Sequence, residues 1–302
     1  MKKLLFLLLC VSSIFAQTRV STLAGTTSGN YVENIGYLDG SPAMFNQPTA
    51  ITVLPNGNVY TLDIEVPAIR QILPNGFTSL FAGNKDFVSP SYVGHGNVNG
   101  SISQARFNNP TGLASDNQSN IYVADWGNKS IRKITDGTVS TIVSGLISPK
   151  CLCLDSNGNM YIGDGSRVVR ATQSGVITVV ATGFNEITGI TIDNSNNVYV
   201  ADGLVKRINL SNNSVSVVNI VGLTFAYDVK WSGSLYVSDS GGNVIYKDGV
   251  VFAGNGLPRF RDGLVGPTRF NASFYNQRAI AVLNGKVYVA DTNNHRIRIV
   301  TL

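Results

Sequence analysis

The sequence contains little histidine, cysteine and glutamate, and this shortage limits the chemistry open to it. Its 302 residues include two His, three Cys and three Glu. A zinc site commonly takes three or four ligands from His, Cys and carboxylates. Cys151 and Cys153 lie two apart on a predicted strand, where a disulfide between them would need distorted geometry. The composition therefore disfavours a His- or Cys-rich metal centre and a fold held together by disulfides, and we expect two small buried thiols.

Long hydrophobic runs are also missing, apart from one at the start of the chain. Leu4–Ile14 is apolar, follows Lys2 and Lys3, and is succeeded by the small residue Ala16. This pattern predicts a secretory signal peptide over residues 1–16, and the run is too short to span a bilayer comfortably. We expect a secreted protein, extracellular or periplasmic in a bacterium, with no membrane insertion after cleavage.

Charge of either sign is sparse, at 14% of residues, whereas 43% are hydrophobic. Such a chain is not disordered in composition. Cleavage after residue 16 would lower the net charge from +5 to +3, leaving 21 basic and 18 acidic residues. So weak a positive charge, on an exported protein, argues against nucleic acid as a partner.

A Tyr-x-x-Asp pattern recurs six times along the chain. It ends at Asp63, Asp125, Asp164, Asp202, Asp239 and Asp291. The tyrosines are spaced by 62, 39, 38, 37 and 52 residues, so the period is near 38 with two insertions. Four short strands fill such a unit, which is one propeller blade. Polar turns that begin at Asp116, Asp155 and Asp193 separate the first and second strands and favour hairpins.

The ends of the chain predict closure of the ring. Only one strand fits after Asp291, and Thr18–Ala24 resembles the outer strands of other blades. We therefore predict an all-β fold, a six-bladed β-propeller of four-stranded antiparallel blades. The N-terminal strand completes the last blade, so that residues 17–302 form a single domain without open terminal edges.

Several segments carry a family resemblance. Phe107–Gly112, Asn120–Asp125 and Asp291–Arg298 resemble NHL repeats, with Asn294-His295-Arg296 in place of the Asn-His-Leu signature. The resemblance covers the whole predicted mature chain and implies the propeller fold. It leaves function open, because such propellers include RNA readers, extracellular sensors, adhesion modules and lyases.

Three connections between blades are much longer than the rest. They run over residues 25–48, 83–110 and 254–277 and enter blades one, two and six, which are neighbours in the ring. We predict that they gather over one half of one face. Phe45, Phe107 and Phe270 near their ends are predicted to plug the gaps between blades.

The bodies of these connections supply the candidate binding residues, since loops on a rigid scaffold commonly carry recognition. Aromatic and arginine side chains are enriched at such surfaces. The candidates are Tyr31, Tyr37, Tyr92, His95, Arg259, Phe260, Arg261 and Tyr275. Packing of the same side chains onto the ring is the alternative. We predict a non-enzymatic propeller that binds a protein or a glycan through this half-face.

Catalysis is the second hypothesis. The six Asp could form a calcium or catalytic cluster, or each could accept backbone N–H groups of its own connection, which their recurrence in every blade favours. No Gly-x-Ser-x-Gly elbow is present, and the zinc centre of the amidating lyases that resemble this family cannot be matched residue by residue. We expect no cofactor. The alternative function is a calcium-dependent hydrolase or lyase at the channel mouth.

Overall fold

The fold is a ring of six β-sheets. The structure, a computed structural model, describes residues 18–26, 37–64, 66–84, 94–265 and 272–301. Each sheet contains an antiparallel meander of four strands. The innermost strand of each sheet contacts the innermost strand of the next, and the sixth contacts the first. The predicted six-bladed β-propeller is confirmed.

The strands occupy the same four positions in every blade. The innermost strands are β2 (Pro48–Val53), β7 (Pro110–Ser115), β11 (Pro149–Leu154), β15 (Gly189–Ile192), β19 (Ala226–Trp231) and β24 (Ile280–Leu283). The second strands are β3 (Val59–Asp63), β8 (Ile121–Asp125), β12 (Met160–Asp164), β16 (Asn197–Ala201), β20 (Leu235–Asp239) and β25 (Lys286–Asp291). These hold the six Tyr-x-x-Asp segments, except that Asp202 directly follows the last residue of β16.

The third and outer strands complete the blades. The third strands are β4 (Ala68–Ile72), β9 (Ser130–Thr135), β13 (Arg167–Ala171), β17 (Val205–Asn209), β21 (Val244–Lys247) and β26 (Arg296–Thr301). The outer strands are β5 (Thr78–Gly83), β10 (Thr138–Val143), β14 (Ile177–Thr182), β18 (Ser214–Val217), β22 (Val250–Ala253) and β1 (Arg19–Ala24). Two further strands, β6 (Gly100–Ser101) and β23 (Gly263–Leu264), widen blades two and six.

The hydrophobic core lies between neighbouring blades. Leu62 and Ile69 of blade one pack against Leu113 and Val123 of blade two, and similar layers occupy the other gaps. Because blades cover one another on both faces, the second strands β8 and β20 are buried along their whole length. Stability therefore rests on the stacking of blades around the axis.

Polar turns join the first and second strands as predicted. Asp116 Oδ1 accepts the backbone N–H of Gln118 and of Asn120, both at 2.9 Å. Asp155 and Asp193 make the same bonds two and four residues ahead. An aspartate that satisfies the backbone of a tight turn fixes the hairpin.

The N-terminal strand closes the ring. Strand β1 pairs antiparallel with β26, with Val20 opposite Val300. Val20 is completely buried in the layer that also contains Val287 and Val289. The predicted completion of the last blade by Thr18–Ala24 is confirmed. Residues 1–17, which include the predicted signal peptide, lie outside the described part of the chain.

The three long connections enter adjacent blades, and a part of each lies against the outer strand of the blade that it enters. Gly40 bridges to Thr78 of β5, β6 pairs with β10, and β23 pairs with β1. In each case the connection adds backbone pairing to an outer strand. The physical reason is that an outer strand presents unpaired N–H and C=O groups, which these segments satisfy.

The predicted aromatic plugs are confirmed at two positions. Phe45 and Phe107 are completely buried between blades. Phe270 lies outside the described residues, and the equivalent position is taken by Phe274, which is also completely buried. Phe274 follows Ala272 by two residues, just as Phe107 follows Ala105. The segment from Asp262 to Phe274 is therefore four residues longer than the segment from Asn99 to Phe107 in the second connection.

Candidate functional site

The six aspartates that end the second strands hold backbone N–H groups, as the turn interpretation predicted. Each accepts at least one bond from the connection that enters its own blade. The donors are Asn46 to Asp63, Asn108 to Asp125, Ile147 and Ser148 to Asp164, Asn185 to Asp202, Thr224 and Phe225 to Asp239, and Tyr275 to Asp291. These carboxylates therefore anchor each inter-blade connection to its blade.

Three completely buried arginines fix the long connections. Arg132 donates to Asp125 at 2.8 Å, to Asn99 at 2.8 Å and to the carbonyl oxygens of Arg106 and Val98. Arg70 and Arg298 make the equivalent contacts in blades one and six, where Asp39 and Asp262 replace Asn99. The Asp-Gly and Asn-Gly pairs are therefore more than turn formers. Their side chains link a buried guanidinium to the outer strand.

Burial affects the ionisation of the carboxylates in these clusters. Desolvation raises the pKa of Asp63 to about 7, and it also raises the pKa of Asp125 and of Asp291. Asp63 lies 3.6 Å from Arg70, whereas Asp125 and Asp291 lie 2.8 and 2.6 Å from their arginines. One oxygen of Asp63 has no described hydrogen-bond partner. The negative charge of Asp63 is thus less well compensated by its arginine than the charges of Asp125 and Asp291 are.

Most of the predicted loop residues do not form one surface. Arg70 lies 4.3 Å from the ring centre of Tyr37, and Arg296 lies 3.7 Å from that of Phe260, so these two aromatics pack onto the ring. Tyr275 is half-buried, and its backbone N–H is held by Asp291. Tyr31 and Tyr92 lie outside the described residues.

Arg259 and Arg261 have exposed side chains next to Phe260. The backbone around them is fixed, since Arg261 bridges to Ser273. His95 lies elsewhere, at the mouth of a central cavity, where its Nδ1 is 3.1 Å from Asn108 Oδ1. The described candidates therefore separate into packing residues, an exposed arginine pair and one residue at the axis.

A cavity of about 670 Å³ lies on the propeller axis, and we call it the central funnel. All six blades contribute to its wall. The connections that enter the innermost strands, together with segments that follow the second strands, surround its mouth. Its volume lies in the range of sites for small molecules, about 300–1,000 Å³. Ligand sites in propellers and barrels commonly occupy such a mouth.

Six equivalent residues form a ring inside the funnel, which we call the funnel ring. Each lies at or near the start of an innermost strand. Its members are Thr49, Thr111, Lys150, Thr188, Tyr227 and Arg278. In blades one, two, three and five a register shift in the pairing with the second strand falls at this position. A β-bulge re-aims a side chain, which is a common device near binding sites.

The residues that follow the funnel ring are small in five blades, because the blades converge there. A Cβ atom at Gly189, for example, would lie only 2.5 Å from Cα of Asp228. Asp228 itself is the exception. It is buried, accepts the backbone N–H of Val229 and of Ile280, and pairs with Lys230 at 2.7 Å. Burial raises the pKa of Asp228, while Lys230 opposes the change.

Other side chains give the funnel aromatic surface and positive charge. Trp126 is 40% exposed, and its Nε1 donates to Ser148 Oγ at 2.9 Å. The guanidinium of Arg278 lies 5.5 Å from the ring centre of Tyr227. Lys150 pairs with Glu186. The funnel therefore offers flat aromatic faces, threonine hydroxyls and cations, contributed by different blades.

The two cysteines near the funnel wall are free, and Cys151 is buried as predicted, while Cys153 is half-buried. Burial raises the pKa of Cys151 to about 12 and also raises the pKa of Cys153. A thiol with a raised pKa is a poor nucleophile at neutral pH. Within the described residues, no three His, Cys, Asp or Glu side chains lie close enough together to hold a metal ion.

Sequence reasoning missed most of the funnel. It named His95 but not Trp126, Lys150, Tyr227, Asp228, Lys230 or Arg278. Comparison of the innermost strands was the signal that could have found them. At the funnel-ring position three blades have Thr and three have Lys, Tyr or Arg, and only one blade follows it with an acidic residue. A position at which one blade differs in residue type from the other blades indicates a residue with a specific role in that blade.

Comparison with solved structures supports the fold. Virginiamycin B lyase from Staphylococcus aureus superposes with a TM-score of 0.61 at 13% identity, over 95% of this chain and 100% of that one. An auxiliary nutrient binding protein from Bacteroides ovatus gives 0.70 at 14% identity, over 94% and 76%. A gluconolactonase from Xanthomonas campestris gives 0.63 at 11% identity, over 94% and 90%. At these identities the likeness concerns the fold alone.

Sequence comparison identifies the repeat. No curated protein matches the chain in sequence. No helix of the described residues is long and apolar enough to cross a membrane. The sequence pattern of the family described as NHL repeat matches residues 107–134 and 278–300. These segments cover the first three strands of blade two and of blade six. The chain is therefore a six-bladed β-propeller with NHL repeats in its second and sixth blades.

Proposed function

We propose that this protein binds a glycan in the central funnel and does not convert it. The observation that carries the proposal is the exposed indole of Trp126 at the mouth of a 670 Å³ cavity whose ring includes three threonines and a tyrosine. Sugars present both apolar C–H faces and hydroxyl groups. A pocket with aromatic surface and a few convergent polar groups suits such a ligand.

The dimensions of the funnel favour a short oligosaccharide over a folded protein. Stable protein–protein interfaces bury about 800 Å² on each partner, which a narrow concave mouth does not offer. The solved Bacteroides structures of the same fold are named as auxiliary nutrient binding proteins, and this supports a binding role for the architecture. Export through the predicted signal peptide would give the funnel access to extracellular glycans.

The test is binding measured by tryptophan fluorescence against a panel of oligosaccharides of two to six sugars. We expect at least one member to change the emission of Trp126, and Trp126→Ala to weaken its binding about tenfold or more, since aromatic contacts contribute on the order of 1–3 kcal/mol. Phe77→Ala is the matched control, because Phe77 is 46% exposed and lies outside the funnel wall. Calorimetry gives the affinity of the tryptophan variant.

If no oligosaccharide binds, or if Trp126→Ala binds as tightly as the wild type, the funnel is not a glycan site. Thermal unfolding of both variants provides the folding control. Since Trp126 is partly exposed, we expect both variants to unfold close to the wild-type temperature.

The hydrolase or lyase alternative is favoured by one observation, the buried carboxylate of Asp228 in the funnel wall. A buried acid with a raised pKa beside a lysine is a common feature of catalytic sites. This alternative predicts product formation from a bound oligosaccharide or lactone, dependence on calcium, and loss of turnover in Asp228→Asn. Unchanged substrate over hours in the presence of millimolar calcium would remove it.

A protein partner on the insertion-bearing half of the ring stays a prediction. Arg259 and Arg261 are its best candidates, because their side chains are exposed on a fixed backbone. A chain in the crystal structure of a nidogen–laminin complex has a similar fold, which supports a protein as a partner of this architecture.

A further inference from the structure

The three basic side chains of the central funnel differ in how their charge is compensated. Lys150 pairs with Glu186, and Lys230 pairs with Asp228. Among the described residues, no carboxylate lies within salt-bridge distance of Arg278, and its guanidinium makes no hydrogen bond with any of them. Counting these five groups, the wall carries one excess positive charge, and that charge belongs to Arg278.

Arg278 is held in place for recognition. Its backbone N–H donates to Ala290 at 3.1 Å, which fixes the start of the side chain. The guanidinium lies over Tyr227, whose ring is 5.5 Å away, and Nε is shielded from solvent without a partner. An arginine stacked on an aromatic ring is restricted in orientation, so it loses less conformational freedom when it binds a planar anion.

The other positions of the funnel ring explain why this arginine is available. The hydroxyls of Thr111 and Thr188 donate to carbonyl groups of the neighbouring blade, at 3.2 and 2.7 Å, and so serve the ring itself. Arg278 occupies the same position in blade six without such a bond. A desolvated N–H without an acceptor is costly, and a bound anion would supply the acceptor.

We propose that the ligand of the funnel carries a carboxylate, as a uronic acid of an acidic glycan does, and that Arg278 binds it. A guanidinium forms a two-pronged contact with a carboxylate, and such charge-assisted bonds are about twice as strong as neutral ones. Tyr227 of blade five and Trp126 of blade two would contact sugar faces from opposite sides of the funnel. This inference rests on the proposed glycan-binding function and names the class of glycan.

The experiment compares acidic oligosaccharides with their neutral methyl esters by calorimetry on the full chain. The probes are trigalacturonate, trimannuronate and a hyaluronan tetrasaccharide, each beside its ester, together with a neutral panel. We expect an acid to bind about tenfold or more tightly than its ester. Arg278→Gln should abolish this preference and Arg278→Lys should keep part of it. Raising the salt concentration should reduce the difference in affinity between each acid and its ester.

Arg207→Gln is the matched control, because Arg207 is exposed on β17 of blade four, away from the funnel wall. It should retain the full preference for the acid. Thermal unfolding of the two Arg278 variants shows whether a loss of binding reflects a loss of fold.

The outcomes separate the two proposals. Esters or neutral glycans that bind as tightly as the acids, or an unchanged preference in Arg278→Gln, would overturn the acidic-ligand inference alone. A panel in which no oligosaccharide binds at all would overturn the glycan function and the inference with it.

Discussion

Arg132 shows how one residue type marks the insertion-bearing blades. It follows Asp125 by seven residues, and the same spacing separates Asp63 from Arg70 and Asp291 from Arg298. In the three blades with short connections the seventh residue after the aspartate is Ala171, Asn209 or Tyr246. The arginine thus occurs where a connection must be held against the blade. This spacing was visible in the sequence, but its meaning requires the contact between strands.

Replacement of Arg132 by Ala should destabilise the protein strongly. The change leaves the buried carboxylate of Asp125 without its cation and two carbonyl groups without donors. Loss of one partner of a buried ion pair typically costs about 3–5 kcal/mol. Arg207→Ala, an exposed arginine on the third strand of blade four, should cost less than about 0.5 kcal/mol. Urea unfolding measures the free energy of unfolding of both variants. Equal losses would refute the role of Arg132 in holding its connection against the blade.

Asp63 should give the stability a pH dependence of defined sign. Burial raises the pKa of Asp63 to about 7 in the folded state, from an ordinary value of 3.8. A proton therefore binds more tightly to the folded than to the unfolded chain, so this group's contribution to the free energy of unfolding falls as pH rises from about 4 through 7.

Unfolding by urea at pH 4.5, 6 and 7.5 tests this dependence. The wild type should lose free energy of unfolding across the series, and Asp63→Asn should lose less, because the amide does not titrate. Carboxyl carbon NMR should show a group that titrates near pH 7 and is missing in the variant. A titration midpoint near 4 for Asp63 would contradict the expected burial effect.

At the scale of elements, the long connections behave partly as strands. Period-two alternation and turn residues predicted the four strands of each blade, since stacked blades bury both faces. The edge strands β6 and β23 were not predicted, because two-residue strands carry no periodic signal and depend on a neighbouring edge. The role of Phe274 was not predicted either. A repeated Arg-Phe-Asn tripeptide placed the plug at Phe270, which lies outside the described residues, and Phe274 is completely buried in the third connection.

Substitutions in residues 259–261 should distinguish a side chain that packs against the blade from side chains that are free to contact a partner. Phe260 stacks against Arg296 and Arg298, with ring-centre distances of 3.7 and 4.9 Å, so Phe260→Ala should lower the free energy of unfolding by about 1–3 kcal/mol. Arg259→Ala with Arg261→Ala should change it by less than about 0.5 kcal/mol, because both side chains are exposed.

The double arginine variant is therefore the right probe for a protein partner, since a triple change that included Phe260 would confuse binding with folding. Pull-down of a partner by the wild type but not by the double variant would support the predicted loop surface. Capture that is equal in both would count against it. Thermal unfolding of all three proteins checks the distinction.

At the scale of the whole molecule, closure by β1 determines that the funnel exists. The closure could be predicted, because the last repeat lacked one strand and the chain began with a matching one. The funnel could not be predicted in the same way, because its ring takes one residue from each of six repeats. The periodic pattern identifies the repeats but does not show which differing residues lie close together. Lys150, Tyr227 and Arg278 become a site only when the ring brings them together.

Deletion of residues 17–24 should open the ring. It removes the partner of β26 and the completely buried Val20, and it leaves an unpaired edge of six residues. We expect a large fall in the unfolding temperature and association through the exposed edge. The control protein begins at Gln17 and keeps the strand. Size-exclusion chromatography and thermal unfolding compare the two, and a deleted protein that remains a monomer of unchanged stability would disprove closure by this strand.

The most direct test of the account is a crystal structure of the protein grown with an acidic trisaccharide. We expect ligand density in the central funnel, with a sugar ring against Trp126 and a carboxylate within hydrogen-bond distance of Arg278. Binding in the funnel would be contradicted if the ligand density lay at the perimeter, beside the long connections or on the outer strands, and the funnel were unoccupied.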